Sequence, residues 1–95
     1  MTEKNEYEKK FEAKLREIKA EIDKLKAKAD QAKAESKVDY DKTIQKLKKE
    51  YSYTENKLQS LKKSSSDAWT DLKAGLEDAW SSLQDGVKSA WRHFK

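Results

Sequence analysis

The side chains that carry most enzyme chemistry are nearly missing from this sequence. His93 is the only histidine, and there is no cysteine. A metal centre or an acid–base couple needs an imidazole or thiolate held beside carboxylates in an enclosed site. His93 has no such neighbours, so its expected role is structural or merely exposed. Asp and Glu are plentiful but lie in amphipathic helical sequence, which offers no pocket to shift their pKa. Gly75 and Gly86 are isolated in a helix-period pattern, unlike the clustered glycines of a phosphate loop. The expectation is therefore a chain that is not an enzyme, with no catalytic residue, metal, cofactor or small-molecule substrate.

What remains is the chemistry of association, carried by tryptophan and lysine. Trp69, Trp80 and Trp91 recur at intervals of 11 residues. They belong to a repeat. Ala68-Trp69-Thr70-Asp71-Leu72-Lys73-Ala74-Gly75-Leu76-Glu77-Asp78 is followed in register by Ala79-Trp80-Ser81-Ser82-Leu83-Gln84-Asp85-Gly86-Val87-Lys88-Ser89, and Ala90-Trp91-Arg92-His93-Phe94-Lys95 opens a third copy. Eleven residues make three helical turns of about 3.67 residues, close to the relaxed helix. Trp69, Leu72, Leu76, Trp80, Leu83, Val87, Trp91 and Phe94 then share one face. These eight are the expected oligomer interface, together with Gly75 and Gly86. Each glycine costs about 1 kcal/mol against alanine inside a helix. On a helical wheel both fall with Ala68, Ala79 and Ala90 on one shoulder of the apolar stripe. That strip is expected to form a groove for indole rings of a neighbouring helix.

A tryptophan face could also rest on a membrane interface. Its polar side mixes Asp71, Asp78 and Asp85 with Lys73, Lys88 and Arg92, which gives no net pull toward anionic lipid. Packing is the preferred expectation and membrane-surface binding the alternative. Nucleic acid is disfavoured as a partner. The basic clusters at Lys46, Lys48, Lys49, Lys62 and Lys63 are interleaved with Asp39, Asp41, Glu50 and Glu55, and phosphate binding needs a concentrated positive face.

The 95 residues are 42% charged, with two glycines and no proline. A chain this short buries little surface alone, so oligomerisation is an expected route to stability. The net charge of +4 lies in the first two thirds: residues 1–62 carry 17 Lys/Arg and 13 Asp/Glu, residues 63–95 five of each. The opening Met1–Glu6 stretch is charged and lacks a signal-peptide core, and no run is long and apolar enough to span a bilayer. The expected location is cytoplasmic.

Within residues 1–63, Phe11, Leu15, Ile18, Ile22, Leu25, Ala29 and Ala32 alternate by four and three, as a heptad seam does. The alternation resumes at Tyr40, Ile44, Leu47, Tyr51, Thr54, Leu58 and Leu61 after one extra step of four through Ser36, a stutter. Ala29, Ala32 and Ser36 make the seam thin there. With no glycine or proline to turn the chain, the spacing predicts one continuous helix, with a hairpin at this stretch as the competing possibility. Its length at residues 4–62 would be about 88 Å. Glu6 with Lys10, Glu12 with Arg16 and Glu21 with Lys24 are expected surface pairs along it. Residues 64–67, Ser64-Ser65-Ser66-Asp67, read as a break, because lysine suits a helix end and Ser or Asp the next N-cap. Residues 68–95 form the repeat helix.

The string Ala68-Trp69-Thr70-Asp71-Leu72-Lys73-Ala74-Gly75 with Ala79-Trp80 resembles a family of short bacterial coiled-coil proteins labelled stress-response proteins, of the kind first noted in cyanobacteria. The opening Met1-Thr2-Glu3-Lys4 and the stretch Ile22–Asp30 are similar to that family's N-terminal half. The resemblance implies a coiled-coil protein with no established activity, so no catalytic residues carry over. Ser64-Ser65-Ser66 departs from the more acidic, glycine-containing sequence expected at that point.

The expected architecture is all-α: a long heptad helix, a short break and a second amphipathic helix, forming a helical hairpin or an oligomeric bundle. The expected function is that of a non-enzymatic structural or stress-associated protein, self-assembling through its apolar helix faces into a homo-oligomer or extended assembly. The alternatives are a peripheral membrane-surface protein and a helical adaptor on a larger machine such as a ribosome or nucleoid.

Overall fold

Alanine, leucine, lysine and glutamate favour helix along most of the chain. The computed structural model, which describes residues 3–94, contains three helices: α1 (Glu3–Asp30), α2 (Ala34–Lys63) and α3 (Ser66–His93). There is no strand among the described residues. The helices run up, down and up. Lys62 near the end of α2 reaches Glu12 near the start of α1, and Trp69 early in α3 meets Glu8. The three lie side by side in a body of 50 × 19 × 18 Å.

The continuous helix expected over residues 4–62 is corrected by this arrangement: the chain turns at Gln31, Ala32 and Lys33. The turn uses ordinary backbone. Gln31 and Ala32 donate to Lys28 and Ala29 carbonyls at 3.2 and 3.1 Å, tightening the last turn of α1. Lys33 then adopts φ −64° and ψ 152°, an extended conformation that ends the helix. Its carbonyl accepts from Ser36 and Lys37, both at 2.9 Å, and α2 begins. No described residue has positive φ. The physical reason lies in the stripes on either side. A straight rod would leave Phe11–Ala29 and Tyr40–Leu61 facing water, whereas a fold at the thin alanine stretch buries each on the other. Burial of a leucine or isoleucine contributes about 1.5–3 kcal/mol, far more than the few helical hydrogen bonds lost at a turn.

The second turn is built differently. Ser64 Oγ donates to the Leu61 carbonyl at 2.7 Å, closing α2. Ser65 is the N-cap of α3, its hydroxyl accepting the Ala68 N–H at 3.4 Å. Only Ser64 and Ser65 lie outside the helices, and Ser66 and Asp67 occupy the first turn of α3. Asp67 there, and Lys62, Lys63, Arg92 and His93 in the last turns of α2 and α3, suit the helix dipoles.

The core runs the length of the molecule. It contains Phe11, Leu15, Ile18, Ile22, Leu25 and Ala29 of α1, Tyr40, Ile44, Leu47, Leu58 and Leu61 of α2, and Leu76, Leu83, Val87, Ala90 and Phe94 of α3. Thr54 is wholly buried in the α2 stripe and donates its hydroxyl to the Glu50 carbonyl at 2.8 Å, so its polar atom is satisfied within the helix. At the far end, Phe94 stacks on Tyr40 with ring centres 4.1 Å apart.

Candidate functional site

Helix α3 has two edges of opposite character, and they set its spacing from its neighbours. The edge toward α1 carries the indoles. Trp69 Nε1 donates to Glu8 Oε2 at 3.3 Å, and its ring meets Tyr7 edge-on at 5.4 Å. Trp80 meets Phe11 edge-on at 5.8 Å. Trp91 Nε1 donates to Glu21 Oε2 at 2.8 Å. Each indole also has a lysine ammonium near its ring: Lys73 at 5.5 Å, Lys14 at 5.7 Å and Lys28 at 5.2 Å, respectively. Lysine stems cover the half-buried rings while the charges stay in water.

The edge toward α2 carries small residues. Ala79 and Ala90 are buried. A Cβ placed on Gly86 would lie 2.9 Å from Leu47 Cδ2, closer than packed atoms tolerate. A side chain at 86 would have to displace the end of Leu47, and the helix backbones draw nearer on this side than across the indole edge. Gly75 differs: nothing lies within 4 Å of its missing side chain.

These placements put the expected interface residues within one chain. Leu76, Leu83, Val87 and Phe94 are buried against α1 and α2 of the same chain, and Trp69, Leu72, Trp80 and Trp91 pack half-buried on that core. The apolar repeat face finds its cover inside one molecule, because the turn at residues 31–33 supplies two antiparallel stripes for it to lie between. The expected groove of small residues receives Leu47 at Gly86, and no indole enters it. The indoles sit on the opposite edge, where their width is accommodated.

Of the heptad seam, Phe11, Leu15, Ile18, Ile22, Leu25, Tyr40, Ile44, Leu47, Leu58 and Leu61 are buried, and Tyr51 is half-buried against them. Two expected surface pairs give way to contacts between helices. Glu12 pairs with Lys62 instead of serving Arg16 alone, and Glu21 accepts the Trp91 N–H. Tyr7, Glu8 and Glu21 were not singled out by spacing, although Tyr7 extends the α1 stripe by one step of four before Phe11.

No protein family, curated protein or solved structure matches this chain. Its possible chemistry therefore rests on its own geometry.

The resolved titration shifts all belong to cross-links and local pairs. Tyr7 donates to Glu77 Oε2 at 3.0 Å, and burial, that bond and the carboxylate charge push its phenol well above the ordinary tyrosine value. The hydrogen bond from Lys62 holds Glu12 below the usual carboxylate range, and Lys62 is raised in return. Tyr51 is raised by burial and by Glu55 and Asp23. None of these groups converges on a shared site. His93 is exposed, its ring centre 5.8 Å from that of Tyr40 in an edge-to-face arrangement. Among the described residues no cluster of three His, Asp or Glu is placed to hold a metal ion, and no helix is long and apolar enough to cross a membrane.

The surface offers shallow, open depressions along helix boundaries. One of about 470 Å³ lies between α2 and α3, with Leu47, Glu50, Gly86 and His93 among its walls. Glu50 Oε2 is buried there without a hydrogen-bond partner, 3.5 Å from where a Cβ at residue 86 would sit. Among the described residues, Val38 and Tyr53 are the large hydrophobic residues left exposed, at 58% and 57%, and both lie on the outward side of α2. They stand off the heptad seam, which is why the spacing of apolar residues did not reveal them.

Proposed function

We propose that this chain is a non-enzymatic structural protein, a three-helix bundle with coiled-coil-like seams that works by associating with further copies of itself. The observation that carries this reading is the use made of its reactive groups. Tyr7 with Glu77, Glu12 with Lys62, and the two indole N–H groups with Glu8 and Glu21 each tie one helix to another. The perturbed Glu12 carboxylate and Tyr7 phenol are engaged in holding the body together, and the outward helix faces remain as the working surface. The family resemblance adds a stress-associated setting in the cytoplasm.

Self-association in this reading uses the outward faces, since the apolar stripes close within each chain. The competing membrane-surface role rested on indoles reaching lipid. Their engagement with α1 counts against it.

Light-scattering mass of the full chain, from micromolar to millimolar concentration, tests the proposal. The expected result is a mass that climbs above the 11.1 kDa of one chain. A constant monomer mass throughout that range would overturn it. Tryptophan emission should be blue-shifted in buffer and unmoved by anionic vesicles, and a shift on adding vesicles would favour the membrane reading instead.

A further inference from the structure

The outward faces of α2 and α3 carry opposite charge at the same spacing. Along α2, Glu35, Lys42, Lys49, Asn56 and Lys63 follow one another every seven residues, and all are exposed. The two acids in the span from 42 to 63 leave this line. Glu50 turns toward Gly86, and Glu55 accepts from Tyr51. Along α3, Asp71, Asp78, Asp85 and Arg92 also recur every seven residues, all exposed. Seven residues advance a helix by about 10.5 Å. The two lines of charge therefore have matching pitch.

We propose that the basic outer face of α2 docks antiparallel on the acidic outer face of α3 of a second copy of this chain. This rests on the self-association reading and names its surface. Antiparallel alignment sets Lys42 against Asp85, Lys49 against Asp78, Glu35 against Arg92, and Asn56 against Asp71. Each charge from residue 35 to 56 in that register meets its opposite or a neutral amide, and Lys63 lies past the start of the partner helix. The parallel alignment that pairs Lys42 with Asp71 and Lys49 with Asp78 brings Lys63 against Arg92, a repulsion that selects the antiparallel form. In the antiparallel register Tyr53 falls opposite Ala74 and Val38 opposite Ser89. The exposed apolar side chains of α2 thus meet small residues that leave them room. Heptad spacing on both faces suits a shallow left-handed crossing of about 20°.

The contact is heterologous, because its two halves come from different helices. One docking event leaves a basic face free at one end and an acidic face at the other, so growth continues into a ring or a filament. Exposed ion pairs are individually weak and screened by salt, which makes the assembly dilute-labile and salt-sensitive.

Two charge-reversed chains test the pairing. One carries Lys42→Glu and Lys49→Glu, the other Asp78→Lys and Asp85→Lys. All four positions are exposed, and circular dichroism checks that the helices are retained. Each variant alone should associate about tenfold or more weakly than the wild type, since both of its docking faces then carry one sign. An equimolar mixture should recover the wild-type mass, because the reversed α2 of one chain fits the reversed α3 of the other and their unaltered faces fit likewise. If the wild type associates and either variant still does so equally well, this surface is wrong while self-association stands. Weakened variants that fail to rescue one another would refute the α2–α3 pairing. A wild type that stays monomeric would remove both proposals together.

Discussion

The two seams of α3 solve the same problem with opposite means. Against α2 the helix presents Ala79, Gly86 and Ala90, and backbone approaches backbone with Leu47 fitted over the glycine. Against α1 it presents Trp69, Trp80 and Trp91, whose rings fill a wider gap and whose N–H groups, at 69 and 91, find carboxylates on α1. The first seam is held by close shape, tightest where Leu47 meets Gly86. The second is held by area, aromatic edges and polar contacts near water. An 11-residue repeat thus encodes two unlike partners at once, one on each shoulder of the same stripe. The seams are therefore expected to fail differently.

The largest effect is expected from removing an indole. Trp80→Ala takes away the ring that meets Phe11 and lies under Lys14. Truncating a buried aromatic costs about 3–5 kcal/mol, and the half-exposed position of Trp80 places the expected loss near the lower end. Urea unfolding followed by far-ultraviolet circular dichroism measures it. A loss below about 1 kcal/mol would mean that the indole edge is dispensable cover.

Overfilling the small-residue seam comes next. Gly86→Val places a branched side chain where even one carbon lies 2.9 Å from Leu47 Cδ2. Leu47 is buried, so making room for the larger valine means repacking its side chain within the core. Overpacking of this kind costs about 1–3 kcal/mol, enough to outweigh the gain from replacing a helical glycine. Unfolding midpoints would check this, and unchanged or raised stability would show that α2 can retreat from α3 without cost.

Much of this contrast was hidden in the sequence for identifiable reasons. The heptad positions from Phe11 to Leu61 and the apolar positions from Leu76 to Phe94 stood out because a helix repeats its faces at fixed intervals, and those residues form the core. The same intervals arise whether the covering helix belongs to the same chain or to another. The stripe therefore declared its need for cover without naming the cover. The turn at Gln31–Lys33 was obscured because it requires neither glycine nor proline nor positive φ. Its trace was the stutter through Ser36 and the thin stretch at Ala29 and Ala32, a signal of weak packing that also suits a straight helix. The second turn was plainer, since Ser65 has a side chain that can cap. Wheel geometry put Gly86 on the shoulder of the stripe, but only the packed helices distinguish a leucine from an indole as its neighbour. Lys42 and Lys49, like Asp78 and Asp85, could be read as faces only once the outward side of each helix was known.

The two glycines sharpen the comparison further, because they share a place in the repeat but not an environment. At Gly75 an added Cβ meets nothing within 4 Å. Gly75→Ala should therefore gain helix propensity freely and raise stability by about 0.5–1 kcal/mol. Gly86→Ala should gain little or lose, since the same propensity is opposed by Leu47. Thermal unfolding of the two variants side by side decides the matter. Equal gains at both positions would erase the distinction between a glycine in close contact and one that is not.

The smallest expected effect separates the seams by pH. The indole edge holds Tyr7, whose phenol donates to Glu77 and packs against Trp69, and whose pKa is raised first by burial and then by Glu77. No hydrogen bond of this kind links α2 to α3 among the contacts described above. Because the folded value exceeds the unfolded one of about 10, the stabilisation is complete below pH 10 and is lost as the unfolded chain ionises above it. Solvent reaches part of the ring, so the change should be modest. The unfolding midpoint should fall as pH rises from about 9 to 11, and Tyr7→Phe should flatten that slope. If the Phe variant kept the full alkaline loss, the raised groups of α2 that face α1, Tyr51 and Lys62, would be in control. The pH dependence would then belong to the α1–α2 seam rather than to the indole edge.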